Sequence, residues 1–254
     1  VSAAQGVLEI AGNAGGHLRR REAGYLPSGG DIRVGERLIR QYGLRTGDDI
    51  AGETQNGRGG AALERVTVVN GAGADTVRER PEFGRLAAIH PNEQLRLESE
   101  PSRGGQPDLT NRVIDLLSPF GKGQRALIVA PAKAGKTMVL QSIASGVSLN
   151  YPKAALFILL VDERPEEVFE MESAGVGEVI ASSFDNPATQ HVAVAELLLE
   201  RARRRVELGM DVVLIVDSLT RLARAYNASA KGSGRTLSGG LDSQAMERPK
   251  RFFG

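Results

Sequence analysis

The 254-residue chain is 41% hydrophobic and 25% charged, enough apolar sequence to bury a core as one large domain or two ordinary ones. It contains no cysteine, which excludes a disulfide framework, cysteine zinc sites and thiol catalysis. Its 32 basic residues nearly cancel 31 acidic ones, and neither half is strongly basic, so any nucleic-acid contact has to come from local placement of Arg rather than from bulk charge. No apolar run approaches the roughly 18 residues of a membrane span and no secretory leader opens the chain, so the expectation is a soluble, cytoplasmic protein with no membrane partner.

The first 70 or so residues alternate short apolar or β-branched stretches with glycine-rich breaks. Val7–Ile10, Ile32–Val34, Asp49–Glu53 and Ala62–Val69 read as strands, separated by Gly15-Gly16, Gly29-Gly30 and the turn Thr46-Gly47-Asp48. A short helix fits Glu36–Tyr42, with Leu38, Ile39 and Tyr42 on one side. Short strands at close spacing predict a small closed all-β barrel of the OB type over residues 1–72. Residues 73–110 read as a connecting segment punctuated by Pro81, Pro91, Pro101 and Pro107. Its apolar residues from Phe83 to Ile89 are expected to pack against a domain.

From residue 111 to 254 nearly continuous apolar runs alternate with helical periodicity. Ala126–Ala130, Ala154–Val161, Val179–Ser182 and Val212–Val216 have the composition of strands buried on both faces. Met138–Val147 has helical spacing, and Asp185-Asn186-Pro187 opens a long helix running to Leu208 and stopped by Gly209. This order predicts an α/β domain with a parallel sheet and right-handed crossovers. The long helix carries Arg201, Arg203, Arg204 and Arg205 beside Glu196, Glu200 and Glu207, a pattern expected of a solvated charged face rather than a subunit contact.

Three segments carry chemistry. Ala130-Pro131-Ala132-Lys133-Ala134-Gly135-Lys136-Thr137 follows an expected strand and opens a helix, the context in which successive N–H groups and a helix N-terminus cradle phosphates. Lys136 would reach the β and γ phosphates of ATP and Thr137 would ligate Mg²⁺, although Ala130 stands where the usual loop begins with Gly. Asp217 ends a buried strand 80 residues after Thr137, placed to join the Mg²⁺ shell. In Val161-Asp162-Glu163-Arg164-Pro165-Glu166-Glu167, Glu163 could activate the attacking water. Glu166 and Glu167 read as acids of a first helical turn, and Arg164 as either a phosphate contact or a partner of one of these acids.

Taken with Gly121-Lys122-Gly123-Gln124-Arg125, the run F-D-N-P-A at Phe184 and D-S-L-T-R-L-A-R-A-Y-N at Asp217, the sequence resembles the bacterial transcription termination factor Rho family, which tolerates Ala at that loop position. The resemblance reaches back through Leu44-Arg45-Thr46-Gly47-Asp48 and Gly6-Val7-Leu8-Glu9-Ile10 and covers essentially the whole chain. It implies an RNA-dependent ATPase and RNA translocase. Such a protein works as a homohexamer ring, with an OB-type barrel capturing single-stranded nascent RNA and a RecA-type P-loop domain releasing it from the RNA polymerase transcription complex. Nucleotide contacts would fall on Gly121, Lys122, Gly123, Gln124, Arg125 and Ala126, on Lys133, Ala134, Gly135, Lys136, Thr137 and Met138, and on Arg164. Catalytic roles would fall on Glu163 and Lys136, and Mg²⁺ on Thr137 and Asp217. A central RNA loop would be Gly234-Arg235-Thr236-Leu237-Ser238-Gly239-Gly240.

The barrel departs from the family. Where a G-F-G-F run would stack bases, this chain has Ala14-Gly15-Gly16-His17-Leu18-Arg19. A second pocket falls on Asp31-Ile32-Arg33 and Arg58-Gly59-Gly60, where only the acid is kept. Base-selective capture by the family's means is therefore not expected. Arg19, Arg20, Arg21, Arg33 and Arg58 either contact phosphates and stack on bases or form a solvated face. The chain ends at Arg251-Phe252-Phe253-Gly254, where a motor domain of this family continues with an arginine finger and a second pore loop, so the resemblance implies a fragment with weak ATP turnover of its own. Two other readings fit parts of the sequence: a rotary-ATPase catalytic subunit, disfavoured by the D-E-R-P-E-E run and the glycine-poor loop, and a non-catalytic nucleotide- and RNA-binding module.

Overall fold

The computed structural model describes residues 2–12, 15–57, 60–99, 109–131, 133–229 and 246–254. The expected central RNA loop at 234–240, together with Ala14, Arg58 and Gly59, lies outside them.

The N-terminal strands are β1 (Ser2–Ile10), β2 (Gly16–Arg19), β3 (Ile32–Val34), β4 (Asp49–Gly57), β5 (Gly60–Val69) and β6 (Ala72–Gly73), with helix α1 (Glu36–Tyr42) between β3 and β4. They run in the order β3-β2-β1-β4-β5-β6, and a β3–β5 pairing at Arg33 and Ala62 closes the first five into a barrel. Closure removes the exposed edges that a five-stranded sheet would otherwise present. Alternation along the strands sends Leu8, Leu18, Val34, Ile50, Leu63 and Val69 inward, and Leu38 of α1 plugs one end. The glycine-rich stretch read as a break turns out to contain β2. Position 16 takes a glycine within the strand because a side chain there would meet the Glu9 carbonyl at 2.6 Å. Ala74 and Val77 also join this core.

The second half contains β7 (Gln94–Leu95), α2 (Leu109–Leu117), β8 (Phe120–Gly121), α3 (Lys136–Asn150), β9 (Ala155–Glu163), α4 (Pro165–Ser173), β10 (Glu178–Ser183), α5 (Ala188–Val206), β11 (Val212–Asp217), α6 (Leu219–Ser229) and α7 (Glu247–Phe253). Strands β10-β9-β11 form a parallel sheet with β9 in the centre. The two-residue period of β9 divides the core into two layers. Phe157, Leu159 and Val161 pack with α5 and α6, while Leu156, Ile158 and Leu160 pack with α3 on the other face. Truncating a residue such as Ile158, fully buried between strand and helix, is expected to cost ~2–5 kcal/mol.

The expected strand Ala126–Ala130 does not form. The backbone there is irregular, and Leu127 and Val129 are 64% and 85% exposed. An apolar run becomes a strand only when a neighbour completes its ladder, and among the described residues β11 pairs with β9 alone.

The connecting segment is held to both sides. Leu97 is fully buried against α3, with its N–H on Asp115, and Asn150 donates to the carbonyls of Arg96 and Glu98. The expected packing of Phe83 to Ile89 is only partly realised. Phe83 sits 5.5 Å from the Arg203 guanidinium, but Ile89 is 76% exposed.

The basic residues of α5 correct the solvated-face expectation. Arg201 and Arg204 are buried, and the helix is the seat on which the barrel rests. Asp49 of the barrel accepts from Arg201 at 2.9 Å and from Arg205 at 2.5 Å. Glu207 accepts from Arg45, Arg80 and Arg204 and from the Phe83 N–H, while Arg80 also reaches Asp48 at 2.6 Å. Gly47 makes this seat possible: its φ of +92° and a would-be Cβ only 2.4 Å from the Glu200 carbonyl carbon leave no room for a side chain. No helix among the described residues is long and apolar enough to cross a membrane.

Candidate active site and nucleic-acid pocket

Parallel strands deliver their C-terminal residues to one sheet edge, and here β9 ends at Glu163 and β11 at Asp217. Lys133 at φ +63° and Gly135 at φ +87° turn the loop into α3, so that Lys136 and Thr137 are the first residues of that helix, where unpaired N–H groups favour an anion. Lys133, Ala134 and Met138 are exposed and open to a ligand. The Lys136 ammonium donates to the buried Asp217 carboxylate, so the phosphate-binding lysine and the metal-associated acid predicted from sequence are brought together.

Glu163 is 5% exposed and faces Arg221, whose guanidinium lies 3.3 Å from its carboxylate and 3.9 Å from that of Asp162. Burial, a hydrogen bond with Glu167 and the charge of Asp217 together push the Glu163 carboxyl up to about 8 against the pull of Arg221. Glu167 is held below its usual range, first by that shared hydrogen bond, with Arg221 and the Arg164 backbone N–H also favouring its anion. Glu167 is therefore more than a first-turn acid: it is the proton-sharing neighbour of Glu163. Arg164 caps the N-terminus of α4 and is exposed, with its side chain in no ion pair among the described residues.

The sequence reading missed the parts of Arg221 and Glu167. The available signal was position: Arg221 lies in the first turn of the helix that follows the strand-ending Asp217, and Glu167 in the first turn of the helix that follows the strand-ending Glu163. Among the described residues no three His, Asp or Glu side chains gather into an all-protein metal cage. The Thr137 hydroxyl and the Asp217 carboxylate are hard oxygen donors of the kind a Mg²⁺ would take if phosphates and water completed its shell.

The Gly121 to Ala126 segment is held elsewhere. Lys122 bridges Glu93 and Asp211 at 2.7 and 2.9 Å, which raises its pKa, and it lies over the Tyr151 ring. Gln124 accepts the Gly121 N–H, Gly123 turns at φ +82°, and Arg125 donates to the Gly254 carbonyl. Among the described residues none of these bonds reaches the 133–138 loop.

On the barrel, two expected contacts are corrected. Leu18 is fully buried in the core and Ile32 packs against it, because their cross-strand pairing faces inward. Gly15 and Gly16 serve close backbone approach, and Gly60 opens β5 at φ +96°. His17, Arg19, Asp31 and Arg33 do converge, lining an outer cavity of about 390 Å³ with Ser28 and Ala61. Arg19 is spent on Glu9 at 2.5 Å and on Asp31. Burial opposes ionisation of Asp31, but the Ser28 N–H and hydroxyl and Arg19 outweigh it and hold its pKa below normal.

The Rho termination factor RNA-binding domain matches residues 4–75, and the nucleotide-binding domain of the ATP synthase alpha/beta family matches residues 110–239. Curated relatives include the transcription termination factor Rho of Haemophilus influenzae, 51% identical over 98% of this chain and 60% of that protein. That of Escherichia coli is 49% identical over the same shares, and that of Micrococcus luteus 49% identical over 98% of this chain and 37% of that protein. The chain thus spans between about a third and three fifths of the relatives it matches. Among solved structures, an ATPase of a bacterial type III secretion system aligns over 68% of this chain and 47% of that chain with a TM-score of 0.55 at 23% identity, a likeness of fold.

Proposed function

The chain belongs to the transcription termination factor Rho family, its second half to the ATP synthase alpha/beta nucleotide-binding family, and from that premise we propose that it carries the RNA-capturing barrel and much of the ATP-hydrolysing domain of an RNA-dependent ATPase. In this reading residues 1–72 bind nascent RNA, 73–110 connect, and 111–254 build the RecA-type nucleotide site. The whole protein acts in the cytoplasm as a homohexamer ring that draws RNA from the RNA polymerase transcription complex.

The roles follow from the geometry at the sheet edge. Lys133 to Met138 receive the phosphates, with Lys136 leaving Asp217 for the β and γ oxygens. Thr137 and Asp217 would hold Mg²⁺, which would supply charge neutralisation at the phosphate oxygens. Glu163 orients the attacking water and takes its proton, Arg221 positions that carboxylate, and Arg164 is free to meet a phosphate. Gly121 to Ala126 would border the nucleotide through backbone, since Lys122 and Arg125 are engaged elsewhere. The observation that carries the reading is the meeting of Lys136, the first residue of α3, with Asp217, whose strand end neighbours that of the buried Glu163.

ATP turnover by the chain, with and without single-stranded RNA and across a protein concentration series, tests it. Weak turnover that still rises with RNA and with protein concentration is expected. Mg²⁺-ATP binding with no turnover at any RNA concentration would overturn the catalytic reading and leave a nucleotide- and RNA-binding module.

A further inference from the structure

The strand that delivers Glu163 is interrupted one residue before it. Along β9 the two-residue period sends Phe157, Leu159 and Val161 to the α5 and α6 face, and Leu156, Ile158 and Leu160 to the α3 face. Continued without a break, that period would put Asp162 on the α3 face and Glu163 on the α5 face. The pairing with β10 shows the break: Val161 lies opposite Ser182, but Glu163 rather than Asp162 lies opposite Ser183. Asp162 is the extra residue of a β-bulge, with its backbone in the left-handed region at φ +58°. The partner strand keeps its period. Ile180 packs with Leu159 on the α5 face, and Ser182 follows two residues on, its Oγ 2.7 Å from Nδ1 of His191 on α5 and accepting from Asn186 at 3.3 Å. Ser183 therefore belongs to the α3 face, and Glu163 opposite it shares that face.

We propose that Asp162 is a positioning residue for ATP hydrolysis, acting through the left-handed bulge that turns Glu163 onto the α3 face of the sheet. The proposal rests on the reading of Glu163 as the residue that orients the attacking water, and adds how the chain aims it. The α3 face holds the groups that Glu163 has to meet. Asp217 lies opposite Leu160 there and takes the ammonium of Lys136 at the start of α3, and α4, which carries Glu167, packs on the same face through Met171. Without the bulge the Glu163 carboxylate would leave on the other side of the sheet, toward α5. Position 162 contributes its backbone more than its carboxylate, which is 44% exposed and 3.9 Å from Arg221. A left-handed backbone is costly for most L residues and least so for Gly, Asn and Asp, so Asp is a residue type that can hold the bulge. Bulges are rare in parallel pairs and gather beside active sites, where they re-aim a side chain.

RNA-stimulated ATP turnover and Mg²⁺-ATP affinity of the 254-residue chain, measured beside Asp162→Gly, Asp162→Glu, Asp162→Val and Glu163→Gln, test this. Gly adopts the left-handed backbone freely but has no carboxylate, Glu keeps the carboxylate without the backbone preference, and Val has neither. Asp162→Gly is expected to show a kcat about tenfold above those of Asp162→Glu and Asp162→Val, with Mg²⁺-ATP affinity within about threefold throughout. A kcat of Asp162→Glu equal to or above that of Asp162→Gly would overturn the proposal while leaving the role of Glu163 standing. That comparison decides the matter even where Val at this position prevents folding. Turnover by Glu163→Gln at the unaltered rate, or none by the unaltered chain, would overturn the hydrolytic reading and this proposal with it.

Discussion

Where the barrel meets α5, Glu207 accepts from three arginines and a backbone N–H, and Asp49 from two arginines. At the sheet edge, among the described residues, the ion pairs of Glu163 and Asp217 are with Arg221 and Lys136 alone, one each. The residue types are the same and the outcomes differ. At the seam each acid is saturated, so the charges hold two domains in one orientation. At the edge negative charge exceeds its compensation, burial adds to the cost, and Glu163 responds by holding its proton up to about 8. Saturated buried charge is structure. Undersaturated charge is free to change partners, which a nucleotide site requires of Lys136 and Glu163.

The largest effect is expected at the seam. Glu207→Ala leaves Arg45, Arg80 and Arg204 without their shared carboxylate, and urea unfolding should register a loss of ~3–5 kcal/mol. A change well under 1 kcal/mol would erase the contrast between the two regions. Next comes Lys136→Ala, which removes the cation that Asp217 now holds and that the phosphates would take. Calorimetric titration with Mg²⁺-ATP should show affinity weakened on the order of 100-fold with folding retained.

The third expectation concerns pH. A base works only when deprotonated, and a raised pKa keeps Glu163 protonated at neutrality. The kcat/KM for ATP should therefore climb about tenfold per unit as pH rises toward about 8 and level off above it. A flat profile from pH 6 upward would mean that Glu163 titrates as an ordinary carboxylate. The smallest effect belongs to Arg40, whose exposed pairing with Glu36 lies apart from both regions. Arg40→Ala should shift stability by no more than ~0.5 kcal/mol.

What could be read from the sequence was what local pattern determines. Helix α1 forms over the expected Glu36–Tyr42, and β9, β10 and β11 cover the three later apolar runs, because periodicity and composition act within a few residues. The Lys136, Asp217 and Glu163 assembly was legible because strand ends in a parallel sheet share an edge. What escaped depended on partners far along the chain. Ala126–Ala130 has a strand's composition but no ladder neighbour among the described residues, and β2 hides behind two glycines whose reasons are the Val34 and Glu9 carbonyls opposite them. The arginines of α5 looked solvated beside their own helix's acids. The decisive partner of Arg201 and Arg205, Asp49, lies more than a hundred residues earlier. Charge pattern along one helix cannot show which surface will be pressed against it.

The most direct test of the account compares the chain with its Glu163→Gln variant, measuring RNA-stimulated ATP turnover and Mg²⁺-ATP affinity side by side. The substitution keeps the shape of the buried side chain but removes its ability to accept a proton. Turnover should fall by at least about 100-fold while nucleotide affinity stays within about threefold. Turnover in the variant at the rate of the unaltered chain would contradict the assignment of the undersaturated cluster as the hydrolytic centre.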